Sequence, residues 1–308
     1  MRIGIVLLPE HRWVDVEPRW RAAEEWGFDH AWTYDHLAWR SLADGPWLAT
    51  VPLLTAAAVV TERIRLGTWV ASPNFRHPVP FAKDIMGLDD VSAGRLLLGL
   101  GAGGSGFDAD VLGAAVSPAE RAERFEEFCH LMDRLLSQPV TDHEGSWYQA
   151  HGARMLPGCV QQPRVPFVVA ANGPRAMATA ARYGQGWGTY GPSLAGLEET
   201  GSAADQERWW AGLERLVERF DRAVVAAGRA PGDVDRYLSV DGAPVYSLSS
   251  VGVLTEAVER AAGLGFTDLV LHWPRPDGVY AGDERVLHEA AGRLAELRAV
   301  RPVPRTVG

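Results

Sequence analysis

Eight short runs of β-branched or leucine-rich residues alternate along the chain with longer segments whose apolar residues recur about every 3.6 positions. A strand followed by a helix, eight times over, is typical of a closed parallel barrel, because each parallel strand needs a crossover connection to reach the next. The alternation therefore predicts an α/β fold, a (β/α)8 TIM barrel. The predicted strands cover residues 2 to 8, 29 to 34, 64 to 71, 95 to 100, 166 to 171, 185 to 190, 236 to 240 and 267 to 272.

A helical pattern follows each predicted strand. One helix has a well-marked start, because Ser117-Pro118 offers an N-cap and a proline at the first helical position, with Glu120 three residues after the cap. The predicted helices cover residues 16 to 27, 46 to 61, 78 to 92, 118 to 137, 174 to 183, 205 to 228, 250 to 264 and 282 to 299.

Two connections, about 138 to 165 and about 189 to 204, exceed the usual length of about two to six residues. The first holds three prolines and the pair Trp147 and Tyr148, which favours an ordered insertion with a short hairpin over a disordered linker. No repeat and no shift in composition marks a domain boundary. We therefore expect one domain over residues 1–308, a barrel with insertions after strands four and six.

Composition indicates a globular protein with a large core, since 47% of the 308 residues are hydrophobic and 22% are charged. No apolar run approaches the roughly 18 residues of a membrane span. The apolar start from Met1 to Leu8 runs directly into Pro9, which indicates a first strand and not a signal peptide. We expect a soluble, cytoplasmic protein with no membrane partner.

Charge and cysteine content exclude two further classes of function. The net charge is -9 and there is no run of Lys or Arg, which argues against a nucleic-acid partner. Cys129 and Cys159 form no CxxC pair, and the histidines show no ligand-like spacing, so we predict no disulfide framework and no metal site.

Residues that follow the predicted strands are the candidates for chemistry, because catalytic groups in such barrels come from the carboxyl ends of the strands. Asp35-His36 follows strand two, and an imidazole beside a carboxylate can exchange protons near neutral pH. The alternative is a histidine that caps the next helix. Ser72 and Asn74 follow strand three, and Asp241 follows strand seven. The predicted substrate-binding residues are His11, Trp39, Tyr190, His272 and Trp273.

A glycine run from Gly99 to Gly106 contains GxGxxG twice and follows a strand. A dinucleotide-binding fold needs a helix directly at the third glycine and an acidic residue about 20 positions later. We expect the next helix only near Pro118, so the run does not indicate that fold. Two interpretations remain: a backbone surface without side chains, against which a ring system or a phosphate can lie, or a merely flexible loop.

A second backbone site is predicted at Asn172-Gly173-Pro174. This tripeptide ends strand five and opens a helix with proline at its first position. Free N–H groups and the positive end of the helix dipole then point to the same place, which favours phosphate binding.

Four segments, in the same order along the chain, resemble the luciferase-like monooxygenase superfamily, and in particular its deazaflavin branch, which uses coenzyme F420. The resemblance covers nearly the whole chain. The segments are GFDHAWTYDH (27 to 36), IRLGTWVASPNFRHP (64 to 78), LDDVSAGRLLLGLGAG (88 to 103) and VPFVVAANGPRAMATAARYGQGW (165 to 187).

The resemblance implies a (β/α)8 barrel that is commonly dimeric, and so a homodimer. It implies that Asp35 orients the cofactor, that His36 acts as acid and base, and that a non-proline cis peptide at Trp69-Val70 supports the ring. Ser72 takes the position of a hydroxyl that contacts the ring. The expected cofactor-binding residues are Asp35, Trp69, Val70, Ser72, Gly101, Ala102, Gly103, Gly104, Asn172, Gly173 and Pro174.

Departures from the family pattern restrict the substrate. Sugar-phosphate dehydrogenases of this branch carry a glutamate where this chain has Gly104, and a phosphate-binding lysine near Ser193. Neither side chain is present, so glucose 6-phosphate is not the expected substrate, and the proton donor must differ.

Three hypotheses for the function follow. The first is an F420-dependent oxidoreductase that exchanges hydride with a small, partly apolar organic substrate. The second is an FMN-dependent monooxygenase of the same superfamily, because both cofactors share a tricyclic ring and a ribityl phosphate. The third is a non-catalytic barrel that binds a ligand.

Overall fold

The computed structural model describes residues 1–113, 115–193 and 202–305. Its strands are β1 (Arg2–Val6), β2 (His30–Thr33), β3 (Arg65–Thr68), β4 (Leu96–Leu100), β5 (Val140–Glu144), β6 (Gln149–Arg154), β7 (Phe167–Ala170), β8 (Gly186–Thr189), β9 (Asp235–Ser239) and β10 (Asp268–His272). Eight of them close into a barrel in the order β1-β10-β9-β8-β7-β4-β3-β2. Each predicted strand overlaps one of these eight, so the predicted barrel is confirmed.

Helices occupy the segments between the barrel strands and the segment after the last one. They are α1 (Trp13–Glu25), α2 (Thr50–Val60), α3 (Pro78–Val91), α4 (Phe107–Asp110), α5 (Pro118–Ser137), α6 (Pro174–Tyr183), α7 (Ala203–Ala226), α8 (Val251–Gly263), α9 (Glu284–Gly292) and α10 (Leu294–Ala299). The start of α5 is as predicted, with Ser117 and Glu120 forming a capping box. The last predicted helix is instead two, α9 and α10, which meet just after Gly292, a residue with low helix propensity.

The barrel strands are almost entirely buried. All five residues of β4 and all five of β10 are buried, as expected for parallel strands covered by helices outside and side chains within. This double burial explains why these strands appear in the sequence as continuous apolar runs and not as alternating ones.

The chain divides into two compact units. The N-half unit comprises residues 7–22 and 31–170, and the C-half unit comprises residues 1–6, 23–30 and 171–308. In the N-half unit, β4 pairs in parallel with β3 and with β7. In the C-half unit, β10 pairs in parallel with β1 and with β9. Strand β9 pairs in parallel with β8 on its other side. The expectation of a single domain over the whole chain stays a prediction.

The first long connection contains the hairpin that its composition predicts. Strands β5 and β6 pair in antiparallel fashion. Glu127 of α5 ties the hairpin turn down, because its carboxylate accepts hydrogen bonds from the backbone N–H of Trp147 (3.0 Å) and of Tyr148 (2.9 Å). Half of the second long connection, residues 194 to 201, lies outside the described residues.

Both cysteines are packing residues. Cys129 and Cys159 are buried free thiols, and burial raises the pKa of each thiol. Neither sulfur is therefore set up to act as a thiolate. In the described ranges, the structure contains no helix with the length and apolarity needed to cross a membrane.

Candidate functional site

His36 lies just beyond the carboxyl end of β2 and is held by a carboxylate from a distant part of the chain. Its Nδ1 lies 2.5 Å from Oδ2 of Asp108, and Oδ1 of the same carboxylate accepts a hydrogen bond from the backbone N–H of Leu37 at 2.8 Å. An ionised carboxylate only accepts hydrogen bonds, so Nδ1 carries the proton and Nε2 is the basic nitrogen of the neutral ring. The imidazole is 29% exposed, whereas the Asp108 side chain is buried.

Asp35, the sequence neighbour of His36, has a different partner. Its carboxylate is buried and binds the guanidinium of Arg76 through both oxygens, at 2.7 and 3.1 Å. The interpretation of Asp35-His36 as a carboxylate–imidazole pair is therefore wrong. Adjacent side chains leave the backbone in different directions, and here each one meets a different element. The alternative of a capping histidine is wrong as well, because α2 begins only at Thr50 and Ala49 is its N-cap residue.

The peptide bond between Trp69 and Val70, directly after β3, is cis, as the resemblance implies. Both residues are half-buried, and the Trp69 ring packs edge-on against Trp32 with centroids 5.0 Å apart. Ser72 follows as a buried residue whose Oγ accepts a long hydrogen bond of 3.4 Å from the backbone N–H of Asn74.

The glycine run packs tightly against this segment. The Gly101 N–H donates to the carbonyl of Ala71 at 2.8 Å. A Cβ at Gly101 would lie 2.5 Å from Cγ2 of Val70, so only glycine allows the two backbones to approach this closely.

Asn74 holds the rest of the loop in place. Its Nδ2 donates to the carbonyl of Gly104 at 3.0 Å, and its Oδ1 accepts a hydrogen bond of 2.7 Å from the buried Arg124 of α5. Gly103 has a φ of +73°, and a Cβ there would lie 2.6 Å from the Asn74 carboxamide. The run is thus a fixed backbone surface, with Ala102 half-buried and Gly104 exposed.

A short helix after the run corrects one expectation. The single-turn helix α4 opens at Gly106, whereas we expected no helix before Pro118. It does not restore a dinucleotide-binding fold, because the positions about 20 residues past the glycines lie inside α5. Its contribution is Asp108, the carboxylate that holds His36.

In the C-half unit, the carboxamide of Asn172 is engaged within the protein. Oδ1 accepts a hydrogen bond from Thr189 at 2.6 Å, and Nδ2 donates to the carbonyl of Gly191 at 2.7 Å. The side chain therefore joins the ends of β7 and β8. Gly173 is the N-cap residue of α6 and Pro174 its first residue, as predicted, and both are exposed.

His272 and Asp241, at the carboxyl ends of β10 and β9, form a second imidazole–carboxylate pair. Oδ2 of Asp241 lies 3.0 Å from Nδ1 of His272 and accepts the backbone N–H of His272 at 2.7 Å. Both side chains are buried. Tyr280 stacks on the imidazole with ring centroids 3.8 Å apart. The predicted wall residue His272 is thus covered by Tyr280.

The other predicted wall residues differ in exposure. Trp273 is buried, stacks on Trp26 and donates from Nε1 to Glu284 at 2.8 Å. Trp39 is buried against Tyr34. By contrast, His11 is half-buried and Tyr190 is 56% exposed. Their contacts with a substrate stay predictions.

Sequence reasoning missed the residues that hold the site together. Asp108, Arg76 and Arg124 carry no local signal, since each acts on a partner 41 to 72 positions away. Asn74 was among the strand-end candidates, but its role in holding the glycine loop was not predicted. In the parts of the chain that the structure describes, no cluster of three or more His, Cys, Asp or Glu side chains could hold a metal ion.

Comparison with solved structures gives the same fold. An F420-dependent secondary alcohol dehydrogenase in complex with an F420-acetone adduct superposes with a TM-score of 0.76 at 17% identity, covering 97% of this chain and 99% of the other. A coenzyme F420-dependent tetrahydromethanopterin reductase from Methanopyrus kandleri gives a TM-score of 0.72 at 18% identity, covering 97% and 98%. At these identities the likeness shows the fold alone.

Comparison of sequences identifies the family as well as the fold. The chain is 32% identical over 312 residues to an F420-dependent glucose-6-phosphate dehydrogenase of Beutenbergia cavernae, which covers 88% of this chain and 90% of the relative. It is 26% identical over 279 residues to a 5,10-methylenetetrahydromethanopterin reductase of Methanopyrus kandleri, covering 84% and 77%. Three further dehydrogenases of the first name are matched over 60 to 62% of their own length. The model of the luciferase-like monooxygenase family matches residues 1–301, and the chain therefore belongs to this family.

Proposed function

We propose that this chain is an F420-dependent oxidoreductase that exchanges a hydride with a small organic substrate. The observation that carries the proposal is the imidazole of His36, fixed by Asp108, in the same unit as a fixed glycine surface. Similarity to relatives named as F420-dependent enzymes supports the choice of cofactor.

The residues of the N-half unit fit a flat ring system. The backbone from Gly101 to Gly104 presents no side chain larger than a methyl group, and Val70 packs directly against it. The hydroxyl of Ser72 donates to no acceptor among the described residues, so its proton is available for a ring oxygen or nitrogen. In the C-half unit, we propose a phosphate-binding role for the backbone N–H groups at the start of α6, after Gly173.

When bound, F420 supplies or accepts the hydride. A substrate that loses a hydride from carbon also loses a proton from the attached heteroatom, and Nε2 of His36 is the nitrogen that takes it. Asp108 keeps the imidazole in the required tautomer and stabilises the cation that forms. In the reverse direction the same nitrogen returns the proton.

Substitution of His36 tests this role. We expect His36→Asn to lower kcat by roughly 10²-fold or more, because the variant has no group to take the proton. His151→Asn is the matched control, since His151 is exposed on the hairpin strand β6. Equal kcat values for the two variants in steady-state assays would remove His36 from the mechanism.

The second candidate function is an FMN-dependent monooxygenase. A 4-hydroxyprotoasukamycin monooxygenase that is 32% identical over 176 residues, covering 56% of this chain and 45% of the relative, favours it. A fluorescence titration with reduced F420 and with reduced FMN separates the two candidates, and we expect tight binding of F420 only. Binding of FMN alone, with substrate-dependent oxygen consumption, selects the monooxygenase. Binding of neither cofactor selects a non-catalytic ligand-binding barrel.

We propose that the substrate is not glucose 6-phosphate, although a relative carries that activity in its name. Gly104 offers no carboxylate, and Ser193 stands close to where sugar-phosphate dehydrogenases of this family carry a lysine. We expect no reduction of F420 with glucose 6-phosphate in an absorbance assay, and rapid reduction would contradict this proposal.

We also propose a cytoplasmic homodimer. Val14 of α1 and Val59 of α2 are each 73% exposed, which marks these helices as candidates for the interface. Sedimentation equilibrium is expected to give twice the chain mass, and Val59→Asp to weaken association. Val225→Asp, on exposed α7 surface, is the control.

A further inference from the structure

Three arginines form a stripe along α7 in the C-half unit. Arg215, Arg219 and Arg222 are spaced by four and three residues, so they lie on one face of the helix over about two turns. All three are exposed. Without a partner, three guanidinium groups at this spacing repel one another, so the stripe by itself destabilises the helix slightly.

This stripe forms one wall of a cavity of about 520 Å³. Asn172 and the exposed Tyr190 also line this cavity. Glu218 also lies in the lining, so the three arginines and this carboxylate leave a formal charge of +2.

No carboxylate of the described residues pairs with the three arginines. Their one hydrogen bond there runs from Nη2 of Arg219 to the carbonyl of Asn172, at 3.4 Å. Other arginines near α7 are paired: Arg208 binds Asp205 of the same helix, and Arg260 binds Glu207 at 2.5 Å. The lack of pairing is thus a property of the cavity face and not of every arginine in this region.

The charges that line the cavity favour anions. The whole chain carries a net charge of -9, so its long-range field does not attract anions. A local concentration of arginines inside a concave surface does attract them, because each guanidinium presents a planar fork of donors that matches the oxygens of a phosphate or a carboxylate.

We propose that this cavity is a binding site for an anionic group, either a phosphate or a carboxylate, held by Arg215, Arg219 and Arg222. Tyr190, which lines the same cavity, offers a hydroxyl to this ligand. The observations behind this site do not depend on the proposed function.

Arginine side-chain NMR tests the site directly. The Nε–H resonances of the full chain are followed at low ionic strength during titration with inorganic phosphate and, separately, with citrate. We expect the three cavity arginines to shift along saturable curves. Saturation with phosphate alone assigns a phosphate site, and saturation with citrate alone assigns a carboxylate site. Small, linear shifts spread over all arginines would show ionic screening only and would overturn the proposal.

Charge-neutralising variants complete the test. Arg215→Gln/Arg219→Gln is expected to weaken anion binding at least tenfold, with the fold preserved because Gln and Arg have similar helix propensities. Arg301→Gln, which removes an exposed charge elsewhere in the same unit, is expected to bind as the unmodified chain does. Equal affinities for the two variants would overturn the proposal. Because no step uses enzymatic activity, the result is independent of whether the chain turns over a substrate.

Discussion

At the scale of single residues, the chemistry of His36 depends on which carboxylate reaches it. Asp35 is bound to Arg76 and is unable to orient the imidazole, whereas Asp108 contacts Nδ1 and is itself fixed by the backbone N–H of Leu37. We regard Asp108 as a positioning residue, since it acts through His36.

Asp108→Asn is therefore expected to lower kcat by about tenfold or more with a smaller change in KM. The amide can present an N–H to Nδ1 and so drive the ring into the wrong tautomer, which removes the acceptor at Nε2. Asp110→Asn is a close control, because Asp110 is exposed on the same short helix. Steady-state kinetics of the two variants measures kcat and KM for each. Equal kcat values would show that Asp108 has only a structural role.

At the scale of elements, the loop after β4 is specific in shape because a side chain from another loop fills the space beside it. Asn74 reaches Gly104 and is oriented by Arg124 of α5. Two adjacent glycines therefore differ in whether they tolerate a side chain. A Cβ at Gly103 would meet the Asn74 carboxamide at a positive φ, while a Cβ at Gly104 would meet nothing within 4 Å.

Gly103→Ala is accordingly expected to lower the free energy of unfolding by about 1 to 3 kcal/mol, through backbone strain and displacement of Asn74. We expect Gly104→Ala to change it by less than about 0.5 kcal/mol. Urea denaturation of the two variants measures the difference. The loop description would be contradicted by equal stabilities.

At the scale of the whole molecule, three barrel strands begin at one charge network around a buried carboxylate. Arg2, His30 and Asp268 are the first residues of β1, β2 and β10. The Asp268 carboxylate is buried and accepts hydrogen bonds from Arg2 at 2.6 and 2.7 Å and from His30 at 3.0 Å. Burial acts to raise the pKa of Asp268, but the hydrogen bonds and charges of Arg2 and His30 outweigh it and lower that pKa overall.

A lowered pKa in the folded state makes stability depend on pH. Asp268 contributes stability above its unfolded pKa of about 3.9, and this contribution is lost as pH falls through the lower folded value. Asp268→Asn is expected to cost about 3 kcal/mol at pH 7, because it removes the buried carboxylate that both Arg2 and His30 bond. Denaturation curves measure the difference in free energy of unfolding between the variant and the unmodified chain. We expect this difference to become smaller below about pH 4, and a difference that stays constant across pH would contradict this assignment.

Local sequence by itself determined the architecture. The eight apolar runs predict the eight barrel strands because burial on both faces of a parallel strand demands a continuous apolar segment. Resemblance to a family, carried by contiguous segments, placed the cis peptide at Trp69-Val70 and the glycine surface. These features depend on residues that are neighbours in the chain.

Only the tertiary structure decided the pairing of charged side chains. The contacts of His36 with Asp108, of Asn74 with Arg124 and of His272 with Asp241 span 72, 50 and 31 positions. No periodicity connects such residues, because helix and strand patterns report burial of an element's own face and not the partner that a loop brings to it. Asp35 lies next to His36 in the sequence but binds Arg76, since the direction of each side chain is set by what packs around the backbone.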